Sequence, residues 1–356
     1  MRKLRAAALP LLAALLLSGC GGVAAEPEPL PQPESPKEKY TGTMYDAFDT
    51  IITVTAYCDS QEQFDALMDT AETEFLRFHR LFDIYYTYPG LNNLKTVNDS
   101  AGQAPVEVPE DILSLLELAK EMYELTGGAV NVAMGGVLQL WHDVREYNLA
   151  FPEDMRLPDP EALNAAAAHR SQEDLVLDRE AGTVLLRDPE MRLDVGAVAK
   201  GYAVEHVARA LLAQGFESAA INAGGNVRVL GPKPDGSPWL VGVTNPDMTS
   251  GQVSLGTVEC TGGSVVTSGT YQRFFEYEGR RYHHIIDGDT LMPENRWSSL
   301  TVLMEDSARA DALSTALFNM DYEEGAALVA SLEGVEAMWV TPEGEILLSP
   351  GFSLTS

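Results

Sequence analysis

The feature that most constrains this 356-residue chain is a succession of three short polar motifs in its last third. A turn rich in hydroxyl groups and glycine at residues 267–271 comes first, a His-His-Ile-Ile-Asp run at 283–287 comes second, and Asp311 with Thr315 four residues later comes third. Small hydroxyls and glycines let backbone N–H groups approach an anion, and residues four apart on a helix point in the same direction. Together the three motifs predict a fold that holds phosphates and a hard cation side by side.

Charge narrows the class of partner. The whole chain has a formal net charge of −29 at pH 7. Its first 19 residues contain three basic residues and no acidic one, so the remainder, with 21 basic and 53 acidic residues, has a charge of −32. Such a surface repels nucleic acid, which we therefore exclude as a partner. The hydrophobic content of 45% is ample for a core, and the length allows two domains or one large α/β unit.

Residues 1–19 have the organisation of an export signal. A basic start is followed by an apolar run at 6–17, which is shorter than the roughly 20 residues needed to span a bilayer. Leu17-Ser18-Gly19-Cys20 resembles a bacterial lipobox, so we expect a lipoprotein signal peptide with Cys20 acylated as the mature N-terminus. An ordinary signal cleaved near Ala24 and Ala25 is the alternative. Two acyl chains give stable anchoring, which predicts a lipid-anchored protein on the extracytoplasmic face of the cell membrane.

After the predicted signal peptide, the composition of the chain changes once, at about residue 40. Residues 20–39 are rich in proline and glutamate without an apolar period, which predicts a disordered tether. No later stretch is typical of a linker, so residues 40–356 are predicted to form one folded domain. Periodicity predicts a strand at 50–57, a hairpin at 175–186, a loop at 84–99 and helices at 60–82, 109–125, 161–169, 197–213, 307–319 and 322–332.

These elements predict the mixed α/β (α+β) class, with mixed sheets flanked by helices. Two interdigitated lobes are the alternative arrangement. The sequence leaves open whether Cys58 and Cys260 pair, and two unrelated thiols are our default expectation. It also leaves the oligomeric state open.

Five stretches of the chain resemble the ApbE family of FAD:protein FMN transferases and follow one another in the family's order. They are DVGAVAKGYAVE at 194–205, INAGGNVRVLG at 221–231, TSGTYQRFF at 267–275, YHHIID at 282–287 and ADALSTAL at 310–317. The resemblance extends from about Asp49 to Met320 and makes residues 40–356 the catalytic domain. It implies an enzyme that uses Mg²⁺ to move FMN from FAD onto a threonine or serine hydroxyl of an exported or membrane acceptor protein, with release of AMP.

Two alternatives remain at this point. Water in place of the acceptor would make the chain an FAD pyrophosphatase that yields FMN and AMP, and a lipoprotein that binds flavin without turnover belongs to a different class. The intact Asp311 and Thr315 pair favours an enzyme, because passive flavin binding needs no metal that bridges phosphates. The acceptor itself cannot be identified from the sequence.

The resemblance also implies the metal ligands, which are Asp311, Thr315 and the main-chain carbonyl of Ala197. Magnesium prefers oxygen ligands and keeps waters and phosphate oxygens besides, so this set would suffice. Without the resemblance, Asp311 would be an acid favoured by the helix dipole and Thr315 a residue bonded back to its own helix.

Further site residues follow from the same resemblance. Tyr85 or Tyr88 would stack on the flavin, and Phe48 would contact it or belong to the core. The turn at 128–131 matches a segment that contacts the dinucleotide. The complete set of predicted FAD-contacting residues is Phe48, Tyr85, Tyr88, Gly128, Ala129, Val130, Asn131, Asp194, Lys200, Ser268, Gly269, His284 and Ile285.

The twin histidines are assigned different roles. If the strand continues through both, their imidazoles lie on opposite faces, and only one points into a given site. His284 matches the family's histidine and is predicted either to accept the proton of the attacking hydroxyl or to donate to a phosphate. His283 is expected to face outward, and Asp287 is the next candidate for the catalytic base.

Overall fold

The structure, a computed structural model, describes residues 37–355. The predicted signal at 1–19, Cys20 and all but the last three residues of the predicted tether lie outside this range. In the described part, no helix combines the length and apolar character required to cross a membrane. The helices are α1 (Gln61–Phe82), α2 (Leu94–Asp99), α3 (Glu110–Leu125), α4 (Gly135–Ala150), α5 (Pro160–Ala167), α6 (Ala199–Ala213), α7 (Ser307–Phe318) and α8 (Tyr322–Ser331).

Between residues 37 and 355 the strands form one large and three small sheets. In chain order the strands are β1 (Glu38–Met44), β2 (Ile52–Cys58), β3 (Val106–Glu107), β4 (Leu175–Asp178), β5 (Thr183–Leu186), β6 (Ala219–Ala223), β7 (Asn226–Val229), β8 (Trp239–Thr244), β9 (Ser254–Cys260), β10 (Gly263–Gly269), β11 (Phe274–Tyr277), β12 (Arg280–His283), β13 (Ser299–Met304), β14 (Glu336–Val340) and β15 (Ile346–Leu348). The large sheet has the order β1-β2-β6-β7-β10-β13-β14-β15, and β3-β5-β4, β8-β9 and β11-β12 form the others. The predicted mixed α/β class is confirmed.

Helices α1, α6 and α7 cover one face of the large sheet. Alternate residues of β2 are buried, and its register places Ile52 opposite Ala223 of β6. Helix α1 begins as predicted, because the Ser60 hydroxyl accepts the N–H of Gln63 at 3.2 Å and so satisfies one of the free donors of the first turn. Its apolar stripe then packs into the core, with Phe64, Leu67, Ala71, Phe75 and Phe78 buried.

The two cysteines remain separate thiols. Cys58 ends β2 in the main core cluster, and Cys260 ends β9 in a second cluster. Both are buried and free, which confirms the default expectation.

Three sequence-based predictions need correction. The predicted loop at 84–99 contains helix α2, which is too short for a periodicity argument and is fixed by a capping box between Asn93 and Thr96. Helix α4 was not predicted, since it begins with two glycines. The folded domain starts two residues before residue 40, because Glu38 already pairs with Cys58 in the β1–β2 ladder, and pairing of the backbone does not depend on apolar side chains.

Candidate active site

A cavity of about 810 Å³ lies where the loop before β2, the loop after α1, the start of α6 and one face of α7 meet. Helix α4, the turn at 129–132, the end of β10, strands β11 and β12 and the segment after β12 also contribute to its walls. Small-molecule sites usually have volumes of about 300–1,000 Å³, so this cavity belongs to the larger ones. It contains all the predicted site residues except Tyr88, Gly128 and Asp287, namely Phe48, Tyr85, Ala129, Val130, Asn131, Asp194, Ala197, Lys200, Ser268, Gly269, His284, Ile285, Asp311 and Thr315.

Asp311 lies in a buried position on α7, with 3% of its surface exposed. Its Oδ2 accepts the N–H of Gly201 at 2.8 Å, and its Oδ1 lies 3.5 Å from Lys200 Nζ. The helices α6 and α7 approach so closely that a Cβ at Gly201 would lie 2.3 Å from the carbonyl oxygen of Ser307. The absence of a side chain at residue 201 therefore lets the two helices bring Lys200 and Asp311 into one ion pair.

Two further residues that carry oxygen donors suited to a hard cation line the same cavity as Asp311. Thr315 lies one helical turn further along α7, where its hydroxyl donates back to the Asp311 carbonyl at 3.4 Å and its oxygen keeps lone pairs for a cation. Ala197 lies just before α6. One carboxylate, one hydroxyl and one main-chain carbonyl fit the preference of Mg²⁺ for oxygen. Between residues 37 and 355, no group of three or more His, Cys, Asp and Glu side chains could hold a metal ion, so an ion at this place depends on the mixed donors.

Asp194 occupies the predicted turn that leads into α6. Its Oδ1 accepts the N–H of Gly196 at 2.8 Å, and its own N–H donates to the Val132 carbonyl at 2.8 Å. Burial raises the pKa of the Asp194 carboxyl, while the Gly196 N–H and the nearby His142 oppose the rise. The turn thus fixes an acidic side chain on the cavity wall a few residues before Lys200.

His284 is the more accessible of the two neighbouring histidines in the cavity wall. Strand β12 ends at His283, and both histidines line the cavity, with His283 buried and His284 exposed. Loss of hydration, followed by the positive charge of Arg273 and other neighbours, lowers the pKa of His284 to about 3. The imidazole is therefore neutral near pH 7 and has a lone pair available to accept a proton.

The prediction that His283 faces outward is wrong. His283 is 2% exposed, its Nε2 donates to the Glu294 carbonyl at 2.6 Å, and its Nδ1 accepts the N–H of Ile285 at 3.2 Å. The strand ends at this residue, so the alternation of faces does not extend to His284, and His283 braces the segment that carries His284. Burial lowers the pKa of His283 to about 4, although the bond to Glu294 opposes the shift.

The buried His283 should make the stability of the protein depend on pH. Its folded-state pKa lies below the value of about 6.5 expected in the unfolded chain, so between these values the unfolded state binds the proton. The free energy of unfolding should therefore fall as the pH drops through 6.5 and level off below about 4. We expect the contribution of His283 to lower the free energy of unfolding by about 2 kcal/mol between pH 7 and pH 5. Urea unfolding of wild type and of His283→Gln at both pH values measures this difference in free energy. If the free energy of unfolding falls equally in the two proteins, His283 is not the residue responsible.

A model of the ApbE family matches residues 48–339, which include every residue that lines the cavity. This chain belongs to the ApbE family. Among its curated relatives, the FAD:protein FMN transferase of Klebsiella pneumoniae strain 342 is 34% identical over 278 residues, which cover 76% of this chain and 84% of that protein. The FAD:protein FMN transferase of Treponema pallidum strain Nichols is 36% identical over 272 residues, which cover 72% of this chain and 73% of that protein.

Solved ApbE structures have the same fold. The ApbE protein of Thermotoga maritima MSB8 superposes with a TM-score of 0.76 at 30% identity, over 88% of this chain and 97% of that one. The flavin transferase ApbE of Vibrio cholerae superposes with a TM-score of 0.74 at 27% identity, over 89% of this chain and 99% of that one.

Within this ApbE-family chain the structure distinguishes the two candidate tyrosines. Tyr88 does not line the cavity, and its hydroxyl donates to Oδ2 of Asp83, which does, at 2.7 Å. Asp83 Oδ1 accepts the N–H groups of Tyr85 and Tyr86. Tyr88 therefore fixes the loop that carries Tyr85, whose ring faces the cavity and lies 5.1 Å from the ring of His142. Burial, and then the charge of Asp194, raises the pKa of Tyr85 to about 12.

Gly128 and Asp287 also lie outside the cavity lining and have roles in the backbone. Gly128 adopts a φ of 94°, which turns the chain after α3 toward the cavity. The Asp287 carboxylate accepts the N–H groups of Asp289 and Thr290, at 3.0 and 2.6 Å. Asp287 thus closes the turn after His284, and its position does not support its earlier assignment as a candidate base.

Several residues of the cavity were not found from the sequence, namely His79, Trp141, His142, Arg145, Gln272 and Arg273. Arg145 Nη2 lies 3.2 Å from His142 Nδ1, and both lie on α4. A prediction of α4 would have placed them on one face, but Gly135 and Gly136 hide its start. Gly135 is required there, since a Cβ would lie 2.5 Å from the Arg192 carbonyl oxygen.

Proposed function

We propose that this chain is a Mg²⁺-dependent FAD:protein FMN transferase that modifies a threonine or serine of an exported or membrane protein. The proposal depends on the charges that line the cavity. Although the chain has a net charge of −29, three cationic side chains, Arg145, Lys200 and Arg273, line one cavity together with the oxygen donors of α7. Cations attract the pyrophosphate of a dinucleotide, and oxygen donors hold a hard cation on it. Flavin transfer is also the activity for which the relatives in Klebsiella pneumoniae, Treponema pallidum and Vibrio cholerae are named.

Different parts of the cavity wall bind different parts of the substrate. Lys200 and the two arginines bind the phosphates, and Ser268 and Gly269 bring the end of β10 close to them. The Tyr85 ring, beside His142, offers a flat face to the flavin. Asp311, Thr315 and the Ala197 carbonyl would hold Mg²⁺, which supplies charge stabilisation to the phosphoryl oxygens when bound.

The chemical step is a displacement at phosphorus. The acceptor hydroxyl oxygen bonds to the phosphorus on the FMN side, the bond from that phosphorus to the bridging oxygen breaks, and AMP leaves with that oxygen. The neutral His284 ring accepts the hydroxyl proton as the new bond forms. The fixed cations stabilise the negative charge that spreads over the phosphoryl oxygens, and the walls hold the reactants in line.

Covalent labelling tests the proposal. The full-length chain, solubilised in detergent, is incubated with FAD, Mg²⁺ and candidate exported proteins, and flavin fluorescence is read on a denaturing gel. Fluorescence that stays with a candidate protein, and disappears when its threonine or serine is replaced by alanine, is the expected result. Release of FMN and AMP without labelling of any candidate would favour the pyrophosphatase instead.

The same proposal includes a lipid anchor at Cys20 that holds the enzyme at the extracytoplasmic face of the membrane. It is supported by the order of basic, apolar and Leu-Ser-Gly-Cys segments at residues 1–20. Cys20→Ser should move the protein from the membrane fraction to the soluble fraction, because the acylated side chain is lost. Cys58→Ser is the matched control and should stay in the membrane fraction. A Cys20→Ser protein that remains with membranes and is cleaved at Ala25 would contradict the anchor.

A further inference from the structure

A strained turn lies at the edge of the cavity. Phe48 and Asp49, here named the rim turn, have φ values of 58° and 50°, and both line the cavity. A left-handed backbone is unfavourable for residues with a Cβ, and it persists only where the surroundings hold it. Two consecutive residues in this state therefore require a specific restraint.

Arg273, which also lines the cavity, supplies that restraint. Its Nη2 donates to the carbonyl oxygens of Phe48 and Asp49, each at 3.2 Å, and lies 3.5 Å from Asp49 Oδ2. Arg273 itself has a φ of 47°, so the clamp is strained at both ends. The Phe48 N–H donates to His79 Nδ1 at 3.3 Å, and this bond is a second restraint on the rim turn.

The clamp uses one nitrogen of the guanidinium. No residue between 37 and 355 accepts a hydrogen bond from Nε or Nη1 of Arg273. Arg273 lines the cavity four positions after Gly269. A guanidinium has five N–H groups in a planar fork that matches phosphate oxygens. The unused edge of Arg273 is thus available to an anion in the cavity while the other edge holds the rim turn.

We propose that Arg273 is a positioning residue that binds a phosphate of the dinucleotide through its free edge and, through Nη2, fixes the rim turn over the bound substrate. This inference rests on the proposed function for the identity of the substrate. It assigns one side chain two tasks, because phosphate binding orders the guanidinium and the ordered guanidinium holds Phe48 and Asp49 in their strained conformation.

Two kinds of measurement on Arg273→Gln, ligand affinity and proteolysis, separate these tasks. The affinity for FAD, followed by quenching of flavin fluorescence, should fall about 10- to 100-fold, which is typical for the loss of a hydrogen bond between charged groups. The affinity for riboflavin, which has the ring but no phosphate, should fall much less than the affinity for FAD. Chymotrypsin should also cut faster after Tyr45 or Phe48, and FAD should protect the variant less than wild type. Arg281→Gln is the matched control, since Arg281 pairs with Glu276 outside the cavity lining.

A double variant decides between positioning and a purely structural role. Asp49→Gly removes the strain at φ 50°, so Arg273→Gln with Asp49→Gly should regain resistance to chymotrypsin but not FAD affinity. FAD affinity restored together with resistance would overturn the phosphate contact, as would an equal loss of riboflavin affinity in Arg273→Gln. None of these readouts needs FMN transfer, so they stand apart from a failure of the labelling experiment.

Discussion

Asp311→Asn should remove Mg²⁺ binding and reduce metal-dependent FMN transfer by about 10²-fold or more, while the fold survives. A hard cation loses its one carboxylate ligand, and charge stabilisation by a bound metal is worth several kcal/mol in such reactions. The fold should survive because asparagine has the same size and its carbonyl oxygen can still accept the N–H of Gly201, which Asp311 accepts at 2.8 Å.

Calorimetry in the presence of FAD measures the Mg²⁺ affinity, and thermal unfolding checks the fold. Asp306→Asn is the matched control, because Asp306 caps the same helix and lies outside the cavity lining. Asparagine is an equally good cap, so this variant should keep both metal binding and stability. An Asp311→Asn protein that binds Mg²⁺ as wild type does would refute the metal site.

His284→Ala should lower the turnover of FMN transfer by about 10²- to 10⁴-fold with FAD affinity nearly kept, because a base acts on the hydroxyl proton only in the transition state. His169→Ala is the control, since His169 pairs with Asp188 outside the cavity lining. A His284→Ala enzyme that binds FAD poorly but turns over normally at saturation would make His284 a phosphate ligand. No substitute base is offered by Asp287, whose carboxylate is bound within the turn.

The pH dependence provides a second test of His284. Its pKa of about 3 in the free protein reflects loss of hydration and neighbouring cations, so its protonation should not reduce kcat/KM between pH 8 and pH 5. Bound phosphates neutralise those cations, and negative charge favours the imidazolium, so the pKa should rise in the complex. We therefore expect kcat to fall with decreasing pH at higher values than kcat/KM does. Coincident profiles would mean that the substrate does not change the charge around His284.

The residues of the short polar motifs could be predicted from the sequence, whereas the contacts that surround them depend on strand pairing and on distant parts of the chain. The spacing of Asp311 and Thr315 placed both on one face of a helix because helical periodicity is a local property. His283 was misplaced because the end of β12 is set by pairing with β11, which the sequence of β12 alone does not contain. Arg273 escaped notice because its partners are main-chain carbonyls more than 200 positions away, and carbonyls carry no sequence signal.

The walls of the cavity come from residues between Phe48 and Asn319, and the large sheet pairs β2 with β6 across the intervening helices. Such non-local pairing makes folding slow, because distant segments must meet before their contacts stabilise them. When Lys200 leaves the ribosomal exit tunnel during synthesis, Asp311 has not yet been added to the chain. No nascent fragment that ends before α7 can hold the complete site, and the capacity to bind FAD should therefore appear abruptly, as a late event in folding.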